Sequence, residues 1–187
     1  MMLIMIIVLI ILVLLLIVIG IISLINIKHI GIIIKKYNLN YLNDKEYQKV
    51  VGDILYHPIF LKLKNYTHHG NTSTYMHSVH VSYVAYLLSK EYQSPYLKSI
   101  TRGALLHDFY LYDWHHAGEG HKFHGFRHAR FAYINAQKYF NLDEIEKDII
   151  LKHMFPLTFY RFPLYKATWV ITYVDKYVSV LETKKQI

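Results

Sequence analysis

The residues that could do chemistry are centred on a histidine and an aspartate at adjacent positions, His107 and Asp108. Imidazole nitrogens and carboxylate oxygens are common ligands of metal ions. The preceding run of small and apolar residues, Gly103-Ala-Leu-Leu, predicts a buried helix that carries the pair inward. Further candidates lie a helix or more away on both sides. They are His77 upstream and His124, His128, His153 and Asp175 downstream.

A mixed set of imidazole and carboxylate groups narrows the class of metal. Such sets suit Mn, Fe, Zn, Co or Ni better than Ca or Mg. Two such ions about 3.5–4 Å apart would polarise the oxygens of a phosphate group and lower the pKa of a water molecule. Asp175 lies among valines and an isoleucine, where a carboxylate needs a partner. A single buried histidine is more often a hydrogen-bonded core residue, so His80 is left out of the predicted ligand set.

Helical periodicity, and not the two-residue alternation of strands, predicts the elements that position these groups. His77 falls in the first turns of a helix that runs to about Glu91, and the His107-Asp108 pair lies near the end of a helix that begins at Tyr96. The other predicted helices cover residues 45–63 with a break at His57-Pro58, residues 127–140 and 143–154, and a last helix that begins at Pro163 or Lys166 and ends at 182. Residues 64–75 and 113–123 are predicted loops. Residues 45–187 are therefore expected to form one all-α domain of about six helices.

The first 27 residues form a separate apolar segment without a charged side chain. About 20 apolar residues span the roughly 30 Å hydrocarbon layer of a bilayer, so this segment predicts a single transmembrane anchor. A secretory signal peptide is the competing interpretation, but no basic residue precedes the run and no small-residue cleavage site follows it. Residues 28–44 are a predicted juxtamembrane linker. Lys28, Lys35, Lys36 and Lys45 follow the span, which predicts a cytoplasmic domain and an amino terminus outside.

Composition limits the classes of partner and chemistry. The chain has no cysteine, which excludes disulfides, thiolate nucleophiles and cysteine zinc sites. Its net charge of +8 comes from scattered lysines and arginines, not from a basic run interleaved with aromatics. We therefore expect no nucleic-acid polymer as a partner, and expect the charge to favour an anionic membrane surface and a phosphorylated substrate. Eleven of the thirteen histidines fall between His68 and His153, where the predicted ligands lie.

Three motifs resemble the HD superfamily of metal-dependent phosphohydrolases over about residues 50–185. The sequence His77-Ser-Val-His-Val resembles the family's first histidine, Leu105-Leu-His-Asp108 its namesake pair, and Val174-Asp-Lys176 its terminal aspartate. The resemblance implies a compact helical bundle, here preceded by the single transmembrane helix, in which these four ligand side chains hold one metal. It also implies hydrolysis of a phosphomonoester or phosphodiester by a metal-activated water.

Members of the family that bind two metals add histidines between the pair and the last aspartate. The segment HARFA, which starts at His128, and the histidine that ends Ile149-Ile-Leu-Lys-His153 resemble these additions. The resemblance thus implies one or two divalent transition-metal ions, with Asp108 as the bridging and catalytic ligand. His124 competes with His128 for the same role, because residues four apart share a helix face. The spacing to His153 favours His128.

Several polar groups near these motifs are candidates for contacts with a phosphorylated substrate. Positive side chains would neutralise phosphate oxygens. The predicted substrate-binding residues are His69, Arg102, Asp113, His124 and Arg127, with His68, Lys122 and Arg161 as further candidates. Two interpretations of Asp113 stay open: an acid or base of the site, or a surface carboxylate.

Departures from the family pattern bear on the substrate. Leu111 stands where some branches place a lysine, and the Gly-Tyr-Pro signature of cyclic-dinucleotide phosphodiesterases is missing. The substrate therefore stays open among nucleotides and other small phosphorylated molecules. Two other functions are compatible with the ligands: a membrane-tethered metal-binding sensory or interaction module without turnover, and a di-iron oxygenase.

Overall fold

The structure is a computed structural model that describes residues 9–11, 13–14, 28–115 and 122–187. These residues are mostly helical, which confirms the all-α prediction. The helices are α1 (residues 28–37), α2 (Lys45–Leu55), α3 (Pro58–Leu61), α4 (Thr74–Glu91), α5 (Leu97–Leu106), α6 (His124–Tyr139), α7 (Glu144–Lys152) and α8 (Lys166–Thr183). Two short antiparallel strands, β1 (Thr67–His69) and β2 (Thr72–Ser73), lie inside the segment predicted as a loop.

The predicted membrane anchor is not supported by the described part of the chain. No helix there is both long and apolar enough to cross a bilayer. Most of residues 1–27 lie outside the described residues. The anchor, and the membrane location with a cytoplasmic domain that depends on it, stay predictions.

Residues 28–37, predicted as part of a linker, form helix α1 and pack on the domain. Ile30, Ile33 and Ile34 belong to its hydrophobic core. Gly31 allows the close approach to α8, because a Cβ at this position would lie 2.7 Å from the hydroxyl oxygen of Tyr177. The folded domain therefore begins before the predicted boundary at residue 45. Sequence periodicity missed this helix because its apolar face directly continues the apolar run before it.

Helix α4 lies at the centre of the bundle and is buried on most sides. Its amino terminus is capped by Ser73, whose hydroxyl oxygen accepts a hydrogen bond from the amide of Met76. Helices α5 and α8 pack on it. The Ser82 hydroxyl links α4 to α5 by donating to the Thr101 carbonyl oxygen at 2.8 Å. Because α4 is held on both sides, the histidine in its first turn is fixed relative to the residues that follow α5 and lie on α8.

Helix α5 packs closely on α7, and this contact brings two parts of the centre together. A Cβ on Gly103 would lie 2.9 Å from Ile149 and 3.1 Å from the backbone of Glu146, so a larger residue would push the helices apart. Arg102, predicted to bind substrate, donates to Glu146 at 2.7 Å and forms an ion pair with Asp53. Its guanidinium therefore ties α5 to α7 and α2, and we leave it out of the proposed substrate groups.

Two helix starts differ from the prediction. Helix α6 begins at His124, three residues earlier than expected. Helix α7 begins at Glu144, one residue later than expected, because Asp143 is its cap: Asp143 and Glu146 each accept a hydrogen bond from the other's backbone amide. His153 directly follows α7, as the pair directly follows α5.

Candidate metal centre

The six predicted metal ligands come together in the interior of the bundle, where each has at most a small exposed fraction. His77 lies in the first turn of α4, and the His107-Asp108 pair follows the end of α5. His128 lies in the second turn of α6. The set is completed by His153 after α7 and Asp175 in the middle of α8.

One half of the centre is formed by His77, His107 and Asp175. The Nε2 atom of His77 lies 3.1 Å from Oδ1 of Asp175. The Nε2 atom of His107 lies 3.7 Å from the same oxygen and 3.4 Å from Oδ2 of Asp108. These atoms converge from three helices onto one small volume.

The other half is formed by His128 and His153. Their Nε2 atoms lie 2.9 Å apart. Oδ1 of Asp108 is 3.2 Å from Nε2 of His128 and 3.6 Å from Nε2 of His153. Asp108 therefore turns one carboxylate oxygen toward each half of the centre, which is the arrangement of a bridging ligand.

All four imidazoles are held by their Nδ1 atoms. His107 donates to the carbonyl oxygen of Ala104 at 2.7 Å, three residues earlier in the chain. His128 and His153 donate in the same way to the carbonyl oxygens of His124 and Ile150, both at 3.0 Å. His77 donates to Oε2 of Glu182 at 2.8 Å. Metal-binding histidines almost always donate their other ring N–H to a carbonyl or carboxylate in this way.

The donor set fits a cation better than it fits a metal-free core. Because Nδ1 of both rings already donates to a carbonyl oxygen, the His128 and His153 rings can keep their Nε2 atoms 2.9 Å apart only when one of these atoms carries a proton or a metal ion binds both. Two nitrogens bound at about 2.1 Å and at right angles to one metal would be about 3 Å apart. Among the described residues, Nε2 of His107 and Oδ1 of Asp108 are also buried without a hydrogen-bond partner. Buried polar atoms of this kind are costly unless something binds them.

Groups in this cluster could hold a metal ion. Three overlapping sets each offer ligand atoms within 4.8 Å of one another: His68, His77 and Asp108; His77, His107 and Asp175; His107, Asp108 and His153. The three sets share members, so they describe one continuous centre.

The pKa values of the ligand side chains are shifted by burial and by neighbouring charged groups. Burial by itself lowers the pKa of an imidazole, but the carboxylates of Asp175 and Glu182 outweigh it and raise the pKa of His77 to about 10. At His153, burial and the nearby His107 lower the pKa to about 3. Burial would raise the pKa of Asp108 and of Asp175, but neighbouring imidazoles, above all His107, hold both well below their usual range. Both carboxylates are thus ionised at neutral pH.

These shifts predict that metal binding strengthens as pH rises. In the metal-free protein at neutral pH, the raised pKa of His77 keeps a proton on Nε2, where a metal ion would bind. Metal and proton therefore compete, and each displaced proton weakens binding by about tenfold for every pH unit of acidification. Calorimetric titration with a divalent metal in buffers of different ionisation enthalpy should show release of at least about one proton per chain. An affinity that does not change with pH would mean that metal does not bind at His77.

Glu182 belongs to the candidate site, and the sequence interpretation missed it. Its buried carboxylate accepts from Nδ1 of His77 and, through Oε1 at 2.9 Å, from Nδ1 of His80. Burial would raise the pKa of Glu182, but these hydrogen bonds lower it to about 2. Its spacing could have revealed it, because Glu182 is two helical turns beyond Asp175 on the same face of α8.

The Glu182→Gln variant is expected to bind metal 10–100-fold more weakly, the usual effect of losing a group that orients a ligand. Glutamine presents one acceptor oxygen and one NH₂ group, so it cannot accept from both His77 and His80. Competition with a coloured chelator measures the change. Glu144→Gln is the matched control, since Glu144 is exposed and forms an ion pair with Lys147 on the surface of α7. Equal metal affinities for the two variants would show that Glu182 contributes packing alone and does not orient His77.

His68 lies closer to the centre than His69, which was predicted to contact substrate. The His68 ring is buried, stacks on His77 with centroids 3.9 Å apart, and places Nδ1 3.7 Å from Oδ2 of Asp108. Burial and His77 lower its pKa well below the usual value, so it is neutral. His69 is half-buried and lies against His68 and Trp114.

His124 lies one helical turn from His128 and forms the next layer of the site. Its ring stacks on His128 and on Trp114, and its Nδ1 lies 2.9 Å from the hydroxyl of Tyr112. Burial and His128 lower its pKa to about 4. His128, not His124, is the residue of this pair that reaches Asp108.

The remaining predicted substrate residues lie around this layer. Asp113 accepts a hydrogen bond from the backbone of His115, and Arg127 is exposed on α6 with its guanidinium 5.1 Å from the centre of the Phe131 ring. Their contact with substrate stays a prediction. Residues 116–121, in the loop predicted beside the site, lie outside the described part of the chain.

Comparisons of the chain with models of known protein families, with curated proteins and with solved structures give no match.

Proposed function

We propose that this protein is a metal-dependent phosphohydrolase of the HD type, acting on a small phosphorylated molecule or nucleotide. The observation that carries the proposal is the centre itself: four imidazoles tethered through Nδ1 direct their Nε2 atoms at two ionised carboxylates. The order of these ligands along the chain, with the His107-Asp108 pair between His77 and Asp175, is the order of the HD motifs.

Two divalent transition-metal ions, of Mn, Fe, Co, Ni or Zn type, fit this ligand set. His77, His107 and Asp175 would hold the first ion, and His128 and His153 the second, with Asp108 shared between them. Ions in such a site polarise phosphate oxygens and make a water molecule acidic enough to attack phosphorus near neutral pH. The identity of the metals does not follow from the donor atoms, because imidazole and carboxylate ligands suit each of them.

The protein's own side chains supply rigidity and a route for substrate. The ligands lie on, or directly after, helices that pack closely, so little rearrangement is needed when phosphate arrives. His124 is neutral at pH 7, and when the Tyr112 hydroxyl donates to its Nδ1, its Nε2–H can donate to a phosphate oxygen. Arg127 and Lys122, at the start of the same helix, are the basic groups proposed to attract the substrate.

Metal analysis of the purified full-length protein, combined with a phosphatase screen, tests this function. We expect about two transition-metal ions per chain and metal-dependent release of phosphate or nitrophenol from nitrophenyl phosphate, bis(nitrophenyl) phosphate or nucleotides. Bound metal without turnover of any substrate would favour the sensory or interaction module. Oxygen consumption by the reduced iron form would favour the oxygenase, and the absence of bound metal would contradict the assignment of the centre.

A further inference from the structure

An exposed apolar surface lies on the outside of the domain, on the segment that joins α7 to α8 and at the start of α6. It exposes large apolar side chains, with Phe159 76%, Leu164 75% and Phe123 74% accessible. We call it the aromatic patch, and its members are Phe123, Phe126, Leu157, Phe159, Tyr160, Phe162 and Leu164. The two segments are adjacent, because a Cβ on Gly125 would lie 3.2 Å from the side chain of Leu157. Exposed apolar groups concentrated in this way mark an interaction site.

The two segments that carry the aromatic patch contain basic residues and no acidic ones. The sequence has no acidic residue between Lys122 and Leu142 or between Ile149 and Val174. Basic residues are interleaved with the apolar ones, notably Lys122, Arg127, Arg161 and Lys166. Asp148, whose carboxylate accepts from the backbone amides of Leu164 and Tyr165, is itself buried. These segments therefore present aromatic and aliphatic side chains together with positive charges.

The aromatic patch lies on the same side of the domain as the start of α1, which follows the apolar amino-terminal segment. A cavity of about 570 Å³ has Leu164, Tyr165 and Lys166 on one side, and His29 and Ile30 on another. His29 and Ile30 lie in the first described turn of α1, directly after residues 1–27. The patch thus lies on the side of the domain where the chain enters from its apolar segment.

We propose that the aromatic patch docks into the headgroup region of an anionic bilayer. Phenylalanine, tyrosine and leucine insert at the boundary of headgroups and acyl chains, while lysine and arginine contact lipid phosphates. Each basic residue near such a surface adds to its attraction for anionic lipid. A second copy of this chain is a poorer partner, because it would bring an equally positive surface. This proposal does not depend on the phosphohydrolase function.

The chain has no cysteine, so single labelling sites can be introduced for a direct test. Full-length Phe159→Cys and Leu164→Cys variants, each labelled with an environment-sensitive fluorophore, would be mixed with vesicles of phosphatidylcholine and phosphatidylserine. Leu42→Cys is the matched control, since Leu42 is 65% exposed and follows the opposite end of α1 from His29. We expect blue-shifted emission and quenching by nitroxide-labelled lipids at positions 159 and 164, but not at 42.

A charge variant and a protein-concentration series distinguish docking to the bilayer from other causes of a fluorescence change. Lys166→Glu, added to the variant labelled at 164, should reduce the quenching at least about twofold, and so should omission of phosphatidylserine. Labels at 159 and 164 that stay as accessible to water as the label at 42 would overturn the proposal. Failure of the full chain to associate with the vesicles would do the same. Spectral changes that depend on protein concentration and not on lipid would replace the bilayer with a second copy of the chain.

Discussion

Replacing Asp108 with asparagine is expected to remove metal binding and metal-dependent turnover together, while the helical fold is kept. The substitution preserves shape but removes the negative charge and one of the two carboxylate oxygens that face the two halves of the centre. Losing a group that only orients a metal ligand typically lowers metal affinity or activity 10–100-fold. The loss of the shared ligand itself should therefore lower activity by more than about 100-fold. Elemental analysis and initial rates, with circular dichroism as a check on folding, measure the effect.

The control for this substitution is Asp53→Asn, which changes an exposed carboxylate away from the centre. Asp53 pairs with Arg102, so this variant also shows how much activity depends on that ion pair. We expect near-normal metal content and turnover for it. If Asp108→Asn retained both metals and full activity, Asp108 would not be the shared ligand, and the two-metal assignment would fail with it.

Much of this centre could be predicted from the sequence, because its polar side chains lie in apolar stretches that are expected to be buried. His107 and Asp108 end an apolar run, and Asp175 lies in another, so each needs a partner in the interior. Helical spacing then limits which histidines can supply those partners. The structure brings all six predicted ligands together, because each lies near a helix end or in a helix that packs on α4 or α5.

Other parts of the site depend on tertiary packing that spacing alone does not specify. His68 approaches Asp108 only because the β1–β2 hairpin folds back over the start of α4, and two strands of three and two residues give no periodic signal. Helix α1 could not be predicted from the sequence for a different reason. Its buried isoleucines continue an apolar run, so the pattern could not show where a predicted span ends and a core helix begins.

The His153→Ala variant is expected to reduce the bound metal from about two ions per chain to about one. His153 and His128 direct their Nε2 atoms at each other and at the same oxygen of Asp108, so both would hold the same ion. The ligands of the other ion, His77, His107 and Asp175, are unchanged. Turnover should fall at least about 100-fold, since a two-metal site needs both ions to clamp the phosphate. His29→Ala, which changes a histidine outside the centre, should keep both ions.

The double variant His128→Ala, His153→Ala gives the sharper test, because residues that act as one unit are not additive. If both histidines hold one ion, the first substitution already removes it, and the second should lower activity by little more. Added imidazole should partly restore the second ion in His153→Ala, where the lost ring leaves a buried space beside Nε2 of His128. Two independent and multiplicative losses would instead mean that the two rings act separately, with His153 serving only as a neutral packing group behind His107.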